Sequence, residues 1–330
     1  MSNYPNYVDN GIGLPVPRGP YPQKGVDMAN FIVKVDKEQL ITLCDQYLND
    51  PTDGEYQYRP LFSHIIMTYS NLSGYVLDAK GQRIGWLPEI DFCFWIMTVA
   101  MKRTIGGIYI PSHIAWFPYT LFVDQAYGIA TGREVFGFNK TIGIFDPPQT
   151  IQNPEFTVKT LGFKEFNPDQ KGQVEWLAKV KRIKEPSPDD LPKTWGTGAE
   201  ARQDIIDLLI GEGQDDTVAD DWLEKAIGLL IHLIKPEVRL VFLKQFRSVA
   251  DTTKAGFQAV VEMPVTVTEF NGGGFLQGEY EMAINYLASN PIAQELGIKL
   301  DNDKQGPLIG FWLDIDMTLE NGEIIWKADI

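Results

Sequence analysis

The sequence predicts an α+β fold that is mostly antiparallel β, barrel-like, with peripheral helices and one helical insertion. Three observations carry that prediction. Apolar and polar residues alternate with a period of two in segments such as AVVEMPVTVTEF and GFWLDIDMTL, the mark of half-buried strands. KEQLITLCDQYLND, residues 37–50, instead sets Leu40, Leu43, Cys44 and Leu48 at helical spacing. The stretch from Trp195 to Pro236 breaks the strand rhythm.

Taken in order, residues 1–27 form a polar leader rich in Pro and Gly, a composition that favours extended, lid-like chain over helix. The amphipathic helix at 37–50 follows. FSHIIMTYS, DFCFWIMTVAM and GGIYIPSHIAWFPYTLFV are β-like, and a second β block runs from FTVKTLGFK through QVEWLAKVKRI. AEARQDIIDLLIG then places Ile205, Ile206, Leu208 and Leu209 on or near one helical face. DTVADDWLEKAIGLLIHLIKP does the same with Trp222, Ala226, Leu229, Leu230 and Leu233. Aspartates precede that second segment and Pro236 ends it, as helix start and stop signals do. The two helices fit an inserted arm, an oligomer contact or simple packing against the main sheet.

Strands resume in the final third. Val261, Met263, Val265 and Val267 alternate with Glu262, Pro264, Thr266 and Thr268, which suits a half-buried strand whose proline marks an edge or bulge. FNGGGF, at 270–275, fits a turn or flexible loop, since no phosphate-binding spacing accompanies it. In GFWLDIDMTLENGEIIWKADI, Asn321-Gly322 predicts a hairpin turn. No internal repeat is visible. The expected organisation is a single domain over 1–330 with a helical insertion at about 195–235.

Composition narrows the partners. Forty-four acidic residues against 29 basic ones give a net charge of −15, which repels nucleic-acid phosphates and anionic lipid heads. The densest basic segment, LAKVKRIKE, alternates with apolar residues and resembles one face of a strand. Neither nucleic acid nor a membrane is an expected partner. Cys44 and Cys93 stand far apart and in no CxxC pair, which fits a reducing, cytoplasmic setting. The N-terminal residues lack a basic start and an apolar core, so no signal peptide is expected. The longest apolar run, FCFWIMTVAM, has the length of a buried strand or core helix.

The chemistry-bearing residues are few. His64, His113 and His232 are the three histidines, in no HxH or HExxH spacing, so no metal site is expected. His64 and His113 have apolar neighbours that suit core or pocket-wall positions. No GxSxG elbow, phosphate loop or dinucleotide fingerprint occurs, and no cofactor is implied. What stands out is TGREVFGFNKT, residues 131–141, where Lys140 follows Phe136 and Phe138. A free lysine has a pKa of about 10.4, so roughly one amine in a few thousand is unprotonated at neutral pH. Forming an imine needs that bare lone pair, and burial in an apolar pocket favours it by penalising the ammonium.

GREVFGFNK, residues 132–140, resembles the GRE-x-x-x-(aromatic)-x-K signature of the acetoacetate decarboxylase superfamily. PRGPY (17–21) resembles that family's N-terminal signature, LPEI (87–90) offers Glu89 where the family carries an active-site glutamate, and LDIDMTLENGEIIWKAD resembles its closing hairpin. These matches fall in the family's order and span nearly the whole chain apart from 195–235. The resemblance implies the family's β-barrel and a Schiff-base lysine at Lys140. Glu89 becomes the acid/base or orienting carboxylate, and Gly132, Arg133 and Glu134 shape the pocket, with a salt-bridged turn the better account of the last two.

There are departures. Thr141 stands where the decarboxylase carries a second lysine, so a lowered Lys140 pKa is expected to come mostly from desolvation. Val26 falls near the family's pocket arginine, with Lys24 or Arg18 as substitutes, and His64 or Ile65 falls near a second pocket glutamate. Arg18, His64 and Phe138 are the substrate-binding candidates. The implied activity is a carboxy-lyase decarboxylating a β-keto acid through an imine on Lys140. An aldolase or dehydratase using pyruvate or a related keto acid through the same lysine is the alternative. A non-catalytic barrel binding an apolar or keto-acid ligand is the other. The expected partners are a small-molecule keto acid and further copies of the chain in a homo-oligomer.

Overall fold

The computed structural model describes residues 5–8, 16–78, 82–187, 191–212 and 237–329. The second helix expected in the insertion, and His232 with it, lies outside them. In chain order the strands are β1 (Tyr21–Lys34), β2 (Tyr56–Pro60), β3 (His64–Leu77), β4 (Arg83–Arg103), β5 (Tyr109–Val123), β6 (Lys140–Ile142), β7 (Ile144–Asp146) and β8 (Phe156–Gly162). There follow β9 (Gln173–Lys184), β10 (Glu237–Arg247), β11 (Ala255–Phe275), β12 (Glu279–Ile284), β13 (Lys304–Leu308), β14 (Gly310–Leu319) and β15 (Glu323–Lys327). The α-helices among the described residues are α1 (Lys37–Cys44), α2 (Ala126–Thr131), α3 (Gly198–Glu212) and α4 (Ile292–Glu295). None of these is long and apolar enough to cross a membrane.

The result is the mostly-sheet α+β class that the alternation predicted. A ten-stranded sheet runs β2-β4-β3-β1-β14-β11-β10-β5-β6, with β15 on β11. Strand β4 pairs with β5 as well as β3, so the pairings return on themselves. Most are antiparallel; β5 meets β10 and β6 in parallel. A five-stranded sheet, β13-β12-β9-β8-β7, packs on one side of this ring.

That second layer explains why DFCFWIMTVAM is apolar almost throughout. A strand covered on both faces has no polar side to present. From β1, β3 and β4, the side chains of Phe31, Met67, Tyr69, Phe92 and Phe94 join one core with Val158, Val180, Tyr280 and Met282 of the second sheet. Phe31 lies 5.4 Å from Tyr280, ring to ring, and Tyr69 lies 4.9 Å from Phe156. The alternate residues, Asn30, Thr68, Cys93 and Trp95, face the inside of the ring.

Helix α1 begins where its sequence says it should, with Asp36 capping the Glu38 amide at 3.1 Å. Its last turns widen into a π-helical turn over Asp45–Asn49. Helix α3 matches the helix expected over AEARQDIIDLLIG. It packs Ala201, Ile206 and Leu209 against Ile66, Met97 and Phe311 at one end of the ring.

Three sequence expectations fail for identifiable reasons. Residues 21–27 of the supposed leader belong to β1, paired with β3 and β14. FNGGGF is not a loop but the end of β11, paired with β14 through a bulge. Its glycines admit a crossing segment: a Cβ on Gly274 would stand 2.6 Å from the Lys193 carbonyl, and Trp195 donates its amide to Gly273 at 2.9 Å. Finally, Asn321-Gly322 makes no hairpin. Both β14 and β15 lie antiparallel along the same edge of β11, so the dipeptide is a break within one continuing line. The Glu320 amide still donates to the Pro264 carbonyl at 2.9 Å. Pro264 therefore sits on an interior strand, between β10 and the β14–β15 line.

The alternation in β11 also misplaces Glu262, which is buried. It accepts hydrogen bonds from Tyr58 at 2.9 Å and Arg239 at 3.3 Å, and meets the His113 ring at 2.9 Å. Burial works against its charge, but His113, Tyr58 and Arg239 together hold its carboxyl below the ordinary value. A depressed folded-state pKa contributes stability above the ordinary carboxylate range and loses it as pH falls through the folded value. Glu262→Gln is expected to cost about 3 kcal/mol at pH 7 by stranding its partners. In urea unfolding the gap between wild type and variant should narrow as the pH is lowered toward 4, whereas a constant gap contradicts the assignment.

Candidate active site

Lys140 opens β6, and parallel pairing with β5 sets it beside Leu121. The chain around it is held in place: the Lys140 amide donates to Phe138 at 2.9 Å, and Arg133 donates to the Lys140 carbonyl at 3.3 Å. Arg133 thus ties the start of the strand to the turn before it. The Lys140 side chain is only 10 % exposed, and its Nζ lies 2.8 Å from Oε1 of Glu89, itself 9 % exposed. It also stands 5.3 Å from the centre of the Phe138 ring, a favourable place for a cation.

Glu89 is anchored on its other side, where Oε2 accepts from Gln125 at 2.6 Å. The Gln125 carbonyl oxygen in turn accepts from the Gly128 amide at 3.1 Å, capping α2. Two glycines one turn apart let this helix approach so closely. A Cβ on Gly128 would fall 2.0 Å from Glu89 Oε2, and one on Gly132 would fall 2.8 Å from Cδ of Lys140. The glycine of the GRE motif therefore makes room for the lysine side chain.

Asp91 lies two residues along β4 from Glu89, on the same face, as period-two geometry requires. It hydrogen-bonds to Glu89. Burial, followed by the negative charge of Glu89, pushes the Asp91 carboxyl well above its ordinary range. For Glu89 burial is again the largest influence and raises its pKa, but Lys140, Asp91 and Gln125 outweigh it and hold Glu89 below the ordinary value. For Lys140, burial lowers the pKa, yet Glu89 and Asp91 more than offset it, and the amine titrates above its ordinary value. The expectation that desolvation would bare the amine is thus corrected. The resting site is a closed ammonium–carboxylate pair, because the apolar wall arrives together with a carboxylate at hydrogen-bonding distance.

Phe138 and Lys140 stand at the junction of two cavities. The smaller, about 70 Å³, is lined by Tyr21, Glu89, Gln125, Thr131 and Phe136. The larger, about 360 Å³, extends through the ring toward α3 and is walled by Asp91, Cys93, Trp95 and Trp116 among others. Of the sequence-predicted residues, the fold brings together Lys140, Glu89 and Phe138. Arg18 is exposed, bridges to Leu77 and lies on neither cavity wall. His64 is buried near the far end of β3, stacked 4.7 Å from Phe62, and also lies on neither wall. Val26, expected near the family's pocket arginine, is a fully buried apolar part of the larger cavity. Sequence reasoning missed Asp91 and Gln125. The Glu-x-Asp spacing in PEID carried a signal for Asp91; nothing local marked Gln125.

No family model matches the sequence, and no curated protein matches it. Solved structures do resemble it in fold. Acetoacetate decarboxylase from Legionella pneumophila subsp. pneumophila str. Philadelphia 1 superposes with a TM-score of 0.58 at 14 % identity, over 99 % of this chain and 98 % of that one. The enduracididine biosynthesis enzyme MppR, complexed with the condensation product of pyruvate and imidazole 4-carboxaldehyde, gives 0.55 at 10 % identity, over 98 % and 99 %. An acetoacetate decarboxylase-like enzyme from Sphingomonas wittichii RW1 gives 0.53 at 10 %, over 97 % and 99 %.

Removing one member of a buried ion pair strands the other charge, typically at about 3–5 kcal/mol. Lys140→Met is expected to lose stability in that range at pH 7, and adding Glu89→Gln should restore most of it in denaturant unfolding. Equal loss in the single and double variants would contradict a closed pair. Gly128→Ala, which drives a methyl into Glu89, should also unfold at a lower denaturant concentration than wild type.

Proposed function

Starting from a chain with the acetoacetate decarboxylase-like fold, we propose a Schiff-base-forming carbon–carbon lyase that decarboxylates a β-keto acid through an imine on Lys140. The observation that carries this reading is the buried Lys140–Glu89 pair, 2.8 Å apart, at the junction of two cavities. On the same reading, the ring of strand pairings is the barrel that encloses the reaction.

The amine must shed a proton before it can attack. Glu89 is the acceptor already in contact, and an incoming substrate carboxylate raises its basicity, since a like charge nearby disfavours the ionised form. Proton transfer to Glu89 leaves a neutral amine facing an apolar wall. The amine attacks the ketone carbon; the nitrogen proton passes to the oxygen; Glu89 then protonates the hydroxyl, which leaves as water and yields a protonated imine. Electrons of the bond to the carboxylate flow toward the iminium nitrogen as carbon dioxide departs. The resulting enamine takes a proton at carbon, and hydrolysis releases the ketone and the amine. Asp91, hydrogen-bonded to Glu89 and with its own carboxyl pushed up by burial, supports the Glu89 carboxylate whenever it is ionised.

The MppR complex, which holds a condensation product of pyruvate with an aldehyde, supports a second reading. An enamine formed from pyruvate on Lys140 would attack an aldehyde carbonyl, giving aldol addition and dehydration.

The test is to incubate the protein with acetoacetate or pyruvate, add borohydride and locate the adduct by peptide mass. An acetoacetate adduct on Lys140 with released carbon dioxide is the expected result. A pyruvate adduct with aldehyde consumption selects the second reading, and no adduct with any keto acid leaves a non-catalytic binding protein. Lys140→Arg should abolish trapping, because it keeps the charge and forms no stable imine. Glu89→Gln is expected to slow turnover about 10²–10³-fold, the usual reach of a positioned acid–base group.

A further inference from the structure

The larger cavity is far bigger than a four-carbon acid requires, and its wall is built for a ligand with a particular polarity. Its volume, about 360 Å³, falls in the range of small-molecule sites. On β4 the wall residues are Asp91, Cys93, Trp95 and Met97, a run of roughly 20 Å at ~3.3 Å per residue. Ala201, Ile205 and Leu209 of α3 close the far end. Most of this lining is apolar, so the occupant must be mostly apolar too.

Polar exceptions on the wall are specific. One register row crosses five strands from Asn30 through Thr68, Cys93 and Leu121 to Lys140, and all five residues line the cavity. Asn30 is 5 % exposed. Its amide oxygen accepts from Thr68 at 2.8 Å, while its amide nitrogen is buried with no partner among the described residues. A buried, unused donor is rare in a folded protein and calls for an explanation; here its residue lies on the wall of a space that a ligand can fill. Oδ1 of Asp91 and Oε1 of Gln23, on the same wall, are likewise buried and without partners among the described residues.

We propose that this cavity binds the substituent of the substrate, and that the substrate is a keto acid carrying a large, mostly apolar chain with a hydrogen-bond acceptor that meets the Asn30 amide. The keto-acid head rests on the lyase reading above; the chain site does not. The head lies at Lys140, between the two cavities, and the chain runs toward α3. This makes α3, the described part of the insertion, the element that sets chain length.

The test uses a homologous series: acetoacetate, 3-oxohexanoate and 3-oxooctanoate in borohydride trapping at Lys140, with hexanoate and octanoate as unreactive binders followed by tryptophan fluorescence. Half-saturating concentration should fall about three- to fourfold per added methylene, the ordinary gain from burying a CH₂. Ala201→Trp, which fills the α3 end, should erase at least tenfold of the gain seen with the eight-carbon acid. A second carbonyl, as in 3,7-dioxooctanoate, should tighten binding in wild type but not in Asn30→Leu. Values flat along the series, or unmoved by Ala201→Trp, would overturn the proposal, and so would a dioxo acid that binds Asn30→Leu as tightly as wild type. If acetoacetate is trapped and longer acids are not, the chain site is wrong and the lyase stands. If nothing is trapped but octanoate binds more tightly than hexanoate, the lyase is wrong and the chain site stands.

Discussion

A single buried ion pair organises this molecule. Lys140 and Glu89 lie in an apolar interior, where either charge alone would be costly and both together are tolerable. Around them the fold supplies what such a pair needs: Gln125 and Asp91 on the carboxylate, the Phe138 ring beside the ammonium, and two glycines that let α2 close over both. The arrangement keeps the amine charged at rest and sets its nitrogen 2.8 Å from a proton acceptor. On the proposed reading, reactivity then depends on a transfer inside the pair rather than on a permanently bare amine.

The sheets make that interior possible. Strands β1, β3 and β4 are covered on one face by the second sheet and on the other turn their side chains into the ring. Side chains pointing outward build a tight aromatic core, whereas those pointing inward leave space. The same period-two geometry thus separates stability from function along each strand. Glu262 shows the reverse compromise, a buried carboxylate tolerable only because Tyr58, His113 and Arg239 converge on it from three other strands.

Where sequence reasoning failed, it failed on partners distant in the chain. FNGGGF has the composition of a loop, but its glycines let the segment 193–195 pass close against the strand. Asn321-Gly322 has the composition of a hairpin turn, but β11 offers one long edge that both β14 and β15 occupy. His64 was expected near a pocket glutamate of the family and Arg18 as a substitute for its arginine, yet neither residue lines either cavity. In each instance local chemistry permitted two outcomes, and a neighbour far away in sequence chose between them.

Local patterning was enough, by itself, to determine the mostly antiparallel character, helices α1 and α3, and the motif that singled out Lys140, because alternation, helical spacing and short motifs are properties of contiguous residues. Glu89 came from the family resemblance of LPEI, not from patterning. Only the tertiary structure decided that Lys140 is paired and charged, that Asp91 and Gln125 support its partner, and that a long apolar cavity opens beside it. Charge state and cavity shape are sums over groups brought together from β1, β3, β4, β5, β6, α2 and α3, and no stretch of sequence contains that sum.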